Sequence, residues 1–262
     1  MSAVLDQGHN LAQIEDLNQR GGRLLTAVDL IEAGTVSVDL AAYLLSAVSG
    51  GASFLTAAMP GNAGKTTVLA ALLSCLPPDV RIVTLADGRH LMHRPRIGRT
   101  CYLVHEIGHG PFYSYLWGRD VGRFLAMRDG SGIVASCMHA DTIEQMRAVL
   151  VGQLGVEEGV FDSVELLLFL RLDQTSRGPR RRVAQVYESP AGCGHRLVWT
   201  WSAEQDCHTQ VAASGLSQCS EARVAAAREF VRSACQHRVL DIGDFRRRVV
   251  EFLTSDPRMR AD

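Results

Sequence analysis

The segment MPGNAGKTT, residues 59–67, has the composition of a loop that binds phosphate. In the pattern G-x-x-x-x-G-K-[ST], backbone amides surround the phosphates, lysine reaches the terminal ones and the hydroxyl binds magnesium. Residues 64–66 match, whereas Met59 replaces the first glycine. Gly61 and Asn62 tolerate positive φ and can turn the loop amides inward. An ordinary strand-to-helix turn containing G-K-T by chance is the alternative. The segment predicts a nucleotide site formed by Pro60, Gly61, Asn62, Ala63, Gly64, Lys65, Thr66 and Thr67.

Residues 105–109, HEIGH, match the zinc-peptidase signature H-E-x-x-H. In that signature two histidines one helical turn apart bind the metal, and the glutamate activates water. Here the preceding TCYLV predicts a strand, and Gly108, Gly110 and Pro111 would interrupt a helix. No H-x-x-G-x-x-H extension follows. A zinc peptidase is therefore kept as a minor alternative.

Glu106 has a second interpretation, as a carboxylate at the end of an apolar strand. If that strand is parallel to the one before the phosphate loop, both end at the sheet edge where ligands bind. A carboxylate there can orient or deprotonate the attacking water and can hold Mg²⁺ through its water shell. A glutamate solvated at the surface is the alternative.

Composition excludes several classes of protein. The 262 residues are 47% hydrophobic, which is enough for one substantial core or two modest ones. Lys and Arg total 27 against 28 Asp and Glu, so no basic field indicates nucleic acid. The seven cysteines contain no C-x-x-C pair, which is typical of reduced thiols in a cytoplasmic protein. No apolar run approaches the roughly 20 residues of a membrane span.

Helical and strand patterns alternate along most of the chain. Residues 1–20 are polar, and we expect a loose leader outside the core. Helices are predicted over 24–34, 38–51, 65–76, 111–128, 141–155 and 221–253, and strands over 52–58, 81–86, 100–105 and 132–138. Residues 164–172 and 181–189 predict an antiparallel hairpin, with 196–202 as a third strand. This alternation predicts an α/β fold with a mainly parallel sheet flanked by helices.

Five segments in this order resemble the motor domain of the type II and type IV secretion and pilus traffic ATPases, which have a RecA-like P-loop NTPase core. Residues 25–58 resemble the family's helical lead-in and first core strand, and RIVTLAD resembles its acidic box. YLVHEIGHG resembles its Walker B strand, and GIVASCMHADT its histidine box. The hairpin resembles the one that closes the domain. The resemblance covers residues 22–190, with 1–21 as a polar leader and 191–262 as a C-terminal strand and helical extension.

The resemblance implies a role for individual residues. Lys65 and Thr66 would bind phosphate and Mg²⁺, Glu106 would be the Walker B carboxylate near the metal, and His139 would contact the terminal phosphate of ATP. Asp87 matches the second acid of the acidic box, but an alanine precedes it where the family usually has glutamate. Alternatively, His139 is a strand-end histidine satisfied by local backbone and Asp87 is a turn residue.

The family normally carries an N-terminal domain over the nucleotide, whereas about 50 residues precede the first core strand here. A partner could supply that domain. Arginines at 89, 94, 96 and 99 are candidates to reach a neighbouring subunit's phosphate, although solvated surface arginines are the alternative for most of them. The basic run at 180–182, with Arg171 and Arg177, predicts a solvated hairpin turn rather than a nucleic-acid patch.

The predicted function is a motor that hydrolyses Mg-ATP to power secretion or type IV pilus assembly. It would act as a homo-oligomeric ring, with a hexamer as one candidate size, in the cytoplasm or at the inner face of the membrane through a platform protein. Met59 and Ala86 favour an alternative, a regulator or assembly protein that binds ATP but hardly hydrolyses it. A DNA-translocating ATPase is a further alternative.

Overall fold

A computed structural model of the chain describes residues 7–18, 21–88, 98–128, 132–176 and 178–259. Within these residues ten strands form one sheet. The strands are β1 (Phe54–Ala57), β2 (Val80–Thr84), β3 (Arg99–Leu103), β4 (Glu106–Ile107), β5 (Tyr115–Leu116), β6 (Gly132–Met138), β7 (Leu166–Thr175), β8 (Gly178–Glu188), β9 (Arg196–Ser202) and β10 (Cys207–Gln210).

The main path of the sheet runs β10-β9-β8-β7-β1-β6-β3-β2, with β4 paired to β6 and β5 paired to β4. The five strands from β7 to β2 are parallel, and β8, β9 and β10 continue the sheet antiparallel. In β1, Thr56 pairs with Cys137 of β6 on one side and with Leu168 of β7 on the other. The parallel strands therefore all end at one edge, where residues following β1, β3 and β6 meet.

Helices cover both faces of the sheet. They are α1 (Gln7–Glu15), α2 (Ala27–Glu32), α3 (Val38–Ser49), α4 (Lys65–Leu73), α5 (Arg119–Leu125), α6 (Ile143–Arg147), α7 (Glu158–Asp162), α8 (Glu221–Gln236) and α9 (Ile242–Ser255). One apolar core lies between the sheet and α1 to α4, α8 and α9, and a second between the sheet and α5 to α7. No helix of the described ranges is both long and apolar enough to span a bilayer.

The mixed α/β architecture predicted from the alternating pattern is confirmed. The antiparallel hairpin is present as β7 and β8, and the predicted third strand, 196–202, is β9. The arginine-rich tail is helical but is broken into α8 and α9, because Arg238 adopts φ 47° and Asp241 caps the second helix through Asp244 N at 2.8 Å.

The expectation of a loose N-terminal leader is wrong for residues 7–17. Ile14 and Leu17 belong to the first core, at 0% and 3% exposure. The buried Asn10 accepts from Ile82 N and donates to Val80 O, both at 2.8 Å, and Gln13 accepts from Thr84 N at 3.1 Å. The polar side chains of α1 thus satisfy the outer edge of β2, which would otherwise expose unpaired backbone groups.

The prediction of one helix over 111–128 is wrong for its first half. Residues 115 and 116 form β5, and α5 begins only after Gly118, whose φ is 75°. Ser114, at φ 57°, accepts from His105 N through its backbone oxygen and donates its hydroxyl to Leu85 O. These bonds draw the segment beside β4. The helix predicted over 141–155 is present as α6 followed by a π-helical turn, Ala148–Gln153.

Candidate functional site

The loop between β1 and α4 lies at the carboxyl edge of the parallel strands. Asn62 adopts φ 64°, and Gly64, the residue before α4, adopts φ 96°, where a side chain would be strained. Thr56 on β1 donates its hydroxyl to Lys65 O at 3.2 Å and so ties the strand to the first helical residue. Among the described residues, the amides of 61–67 have no protein acceptor. A row of free amides at the start of a helix favours an anion.

The start of the loop is fixed by residues that follow β6. Met59 N donates to Asp141 Oδ1 at 2.8 Å, and Met59 O accepts from Nδ1 of His139 at 2.8 Å. These two bonds hold the backbone at the position where the motif has its first glycine. The Met59 side chain points outward and is 51% exposed. A methionine is therefore accommodated without a positive φ.

Lys65 carries a buried ammonium that faces no carboxylate at bonding distance among the described residues. The residue is 7% exposed, and its Nζ donates to Ala58 O at 3.2 Å. The two ring nitrogens of His139 lie 3.4 and 3.5 Å from Nζ. A buried cation is costly without an anionic partner, so this position is suited to a negatively charged ligand.

Glu106 and His139 face each other across the ends of β4 and β6. His139 Nε2 lies 3.4 Å from Glu106 Oε1, and Nδ1 carries a proton because it donates to a carbonyl. The Glu106 side chain is 15% exposed and that of His139 is 43% exposed. Nε2 is therefore within 3.5 Å of both the carboxylate of Glu106 and the ammonium of Lys65, at the limit of hydrogen-bond distance from each.

Cys137 lies directly beneath this group. Its Sγ donates to His105 O at 3.0 Å and lies 3.9 Å from Glu106 Oε2. Burial raises the pKa of Cys137 to about 12, and the charge of Glu106 acts in the same direction, whereas Lys65 and the Thr66 hydroxyl oppose it. The thiol is therefore neutral at physiological pH and is a poor metal ligand or nucleophile.

Most of the predicted site residues line one cleft of about 1330 Å³. Residues 61–67, Glu106 and His139 contribute to its lining. The lining also includes the apolar side chains of Leu24, Leu25 and Leu30. A cleft with both polar and apolar lining suits a ligand with a phosphate group and an aromatic base.

Two predicted residues lie away from the cleft lining. Pro60 is exposed at the entry of the loop, and Asp87 follows β2, the outermost strand on that side of the sheet. A role for Asp87 at the nucleotide stays a prediction. Arginines 89, 94, 96 and 177 lie outside the described residues, and Arg99 begins β3 and pairs with Asp79 at 3.3 Å.

The HEIGH segment does not form a helix. Residues 106–107 are β4, and His109 lies in the loop beyond, where its ring packs against Trp117 at a tilt of 38° with centroids 4.2 Å apart. The two histidines thus lack the one-turn helical spacing that the peptidase signature requires. In the described part of the chain, no three His, Cys, Asp or Glu side chains are grouped as a metal site.

The arginines of β8 are not a solvated turn, which corrects the interpretation of 180–182. Arg182, 9% exposed, forms two bonds to Asp206, and Arg180 bonds Asp173 at 3.0 Å and lies over the Trp201 ring. Arg181 reaches the loop between β1 and α4, where its Nε donates to Asn62 O at 2.7 Å. Its contact with the loop joins residues 119 positions apart, which no local pattern signals.

The residue type at position 65 is itself a signal that the motif comparison does not use. Lys65 is the chain's single lysine, since the other 26 of the 27 basic residues are arginine. A chain that otherwise uses arginine throughout retains a compact ammonium at one position, next to the loop. Lysine binds phosphate as a point charge, whereas the guanidinium is planar and larger.

No family model and no curated protein matches this sequence. Among solved structures, the chain is similar to the crystal structure of the VirB11 ATPase from the Brucella suis type IV secretion system in complex with sulphate. The identity is 18% and the TM-score is 0.45, over 74% of this chain and 59% of that one. The chain therefore spans less than two thirds of that protein. A similarity of this size does not identify a family or a function.

Proposed function

We propose that this chain binds Mg-ATP in the cleft at the carboxyl edge of its sheet and hydrolyses it. One observation carries the proposal: a loop with free amides ends at a buried lysine and faces a carboxylate and a histidine from neighbouring strands. These groups fit a magnesium triphosphate, because amides and ammonium bind its oxygens and a carboxylate can orient its metal's water.

In this proposal the loop binds and orients the phosphates. The amides of residues 61–67 donate to phosphate oxygens, and Lys65 exchanges its contact with Ala58 O for the terminal phosphates. The Thr66 hydroxyl, at the start of α4, is the candidate ligand for Mg²⁺. When bound, Mg²⁺ supplies charge neutralisation between the phosphates.

Glu106 is the candidate base for the attacking water. It accepts a proton as the water oxygen bonds to the terminal phosphorus and the bond to the ADP oxygen breaks. His139 is anchored by Met59 O at Nδ1, so Nε2 is the atom that can meet the terminal phosphate or the water. Its nearness to both Lys65 and Glu106 suits a residue that senses whether that phosphate is present.

For the cellular role we propose a traffic ATPase, a RecA-like motor for secretion or type IV pilus assembly. The support is the order of the phosphate loop, Glu106 and the histidine box along the chain, together with the α/β sheet that brings them to one edge. A homo-oligomeric ring docked on a membrane-platform protein follows from the same proposal.

A regulator that binds ATP but turns it over slowly is the second candidate. Two observations favour it: Asp87 lies outside the cleft lining, and the residue before it, Ala86, has no carboxylate. The acidic box therefore adds no acid to Glu106, which lies 3.4 Å from His139. Fewer acids at the metal would weaken the positioning of magnesium and water more than the binding of ATP.

Because Lys65 is the single lysine, nucleotide binding can be tested by amine chemistry. Acetic anhydride should acylate Lys65 and the chain's α-amino group, as read by peptide mass spectrometry, and Mg-ATP should protect Lys65 alone. Lys65→Met should weaken ATP binding at least about 10-fold, since a charge-assisted hydrogen bond to phosphate is lost. Equal affinity of Lys65→Met and wild type would refute the phosphate site.

Turnover distinguishes the two candidate functions. Glu106→Gln keeps the shape of the side chain but cannot take a proton, so the motor should lose roughly 10²- to 10⁴-fold in kcat with little change in ATP affinity. Glu157→Gln, on an exposed carboxylate before α7, is the matched control and should retain full activity. Very slow turnover of the wild type, unchanged in Glu106→Gln, would favour the regulator.

A further inference from the structure

Resting on the proposed function, we propose that Arg181 is a positioning residue that orients the phosphate loop from the neighbouring hairpin. Its Nε–H donates to Asn62 O at 2.7 Å, near the apex of the loop. Its Cδ lies 3.5 Å from the position that a Cβ on Gly64 would occupy, so the aliphatic stem packs along the loop's last residue. Arg181 also lines the cleft.

The bond fixes the direction of one peptide unit. A trans peptide is planar, so the carbonyl of Asn62 and the amide N–H of Ala63 point in opposite directions. Holding the Asn62 oxygen toward Arg181 turns the Ala63 N–H away from the hairpin. That amide has no protein acceptor among the described residues and belongs to the row at 61–67. Arg181 therefore fixes the direction of one of the free donors that the proposed function assigns to phosphate.

The loop needs this support because of its sequence. Its entry is held by Asp141 and His139 through Met59. Beyond that point, among the described residues, residues 61–64 receive their side-chain hydrogen bond from Arg181. Asn62 at φ 64° and Gly64 at φ 96° are both left-handed, a conformation that a free loop populates only in part. Fixing it beforehand lowers the entropy lost on binding.

The arginines on either side of Arg181 bond residues outside the loop. Arg180 bonds Asp173, and Arg182 bonds Asp206 and Ala33 O. Within the described residues Arg181 has no carboxylate at ion-pair distance. Its Nε bond to the loop is thus the contact that distinguishes it from its neighbours.

The test compares Arg181→Met, Arg181→Gln and Arg171→Met in the full chain. Met keeps the stem without a donor, whereas the Gln Nε2 follows Cδ as the Arg Nε does and can still donate. Arg171, exposed and paired with Asp173 in the same hairpin, is the control. The first measurement is NMR relaxation of the backbone amides of residues 61–64 without nucleotide, which gives their order parameters. The second is the affinity for Mg-ATP and for adenosine.

Arg181→Met should lower the order parameters of the amides of residues 61–64 from about 0.85 to below about 0.6. It should weaken Mg-ATP binding roughly 10-fold, with adenosine affinity unchanged. Arg181→Gln should bind Mg-ATP within about 3-fold of wild type, and Arg171→Met should match wild type. Unchanged order parameters in Arg181→Met, or a Gln variant as impaired as the Met variant, would overturn the proposal. If wild type bound no nucleotide, the ATP proposal would fail, and the order parameters would still decide the role of Arg181.

Discussion

Replacing Arg246 of α9 by methionine should destabilise the fold strongly, because its guanidinium binds backbone carbonyls at and just beyond the C-terminal end of α4. The residue is 1% exposed. It donates to Ser74 O and Pro77 O, both at 3.2 Å, to Leu76 O, and to Gln7 Oε1 at 2.9 Å. One side chain thus joins α9, the C-terminal end of α4 and the start of α1.

The magnitude follows from two opposing effects. Burial lowers the pKa of Arg246 to about 10, which corresponds to a cost of roughly 3 kcal/mol for keeping the charge inside. Four hydrogen bonds from a charged donor contribute roughly 1.5 to 3 kcal/mol each. Methionine removes both effects and leaves buried carbonyls without a donor. We expect the free energy of unfolding to fall by at least about 3 kcal/mol, the smallest difference between these two effects.

Urea unfolding followed by circular dichroism and tryptophan fluorescence measures this loss. Arg247→Met is the matched control, because that neighbouring side chain is 60% exposed and its ion pairs lie on the surface, so its effect on the free energy of unfolding should be much smaller. Losses of equal size in the two variants, or a loss below about 1 kcal/mol in Arg246→Met, would refute the reasoning.

Three further predictions concern stability and reactivity. Burial lowers the pKa of His105 to about 4, so on acidification the unfolded chain binds a proton at this residue before the folded chain does. The urea midpoint of unfolding should therefore decrease as the pH is lowered from about 6.5 to about 4. His105→Gln should make the midpoint depend less on pH in this range. An aromatic disulfide reagent should modify the exposed Cys193 in the native protein but reach the buried Cys101 and Cys137 only on unfolding, as resolved by mass spectrometry. Asn10→Ala should lower the free energy of unfolding by roughly 2 to 4 kcal/mol in urea titrations, because two backbone groups of β2 lose their partner; a loss under about 0.5 kcal/mol would mean that α1 does not support that edge.

Local patterns located the central elements well because hydrophobic periodicity and glycine positions act within a few residues. The strand 132–138 matches β6, the strand 196–202 matches β9, and the helix predicted from Lys65 begins there. The same patterns failed at 111–128, where Ser114 and Gly118 adopt positive φ and long-range bonds draw the backbone to the sheet. They also failed at α1, whose polar side chains are satisfied by β2, about 70 residues away.

The sequence by itself determined the α/β alternation, the loop that ends in Lys65, and the strand ends that carry Glu106 and His139. These are local properties of spacing and residue type. The tertiary structure alone decided which of these residues meet, because parallel pairing of β1, β6 and β3 brings their carboxyl ends to one edge. It also decided the partners of the loop: Asp141, which follows β6, bonds Met59, and Arg181 on β8 bonds Asn62. Such contacts depend on how the sheet is ordered, which no window of sequence contains.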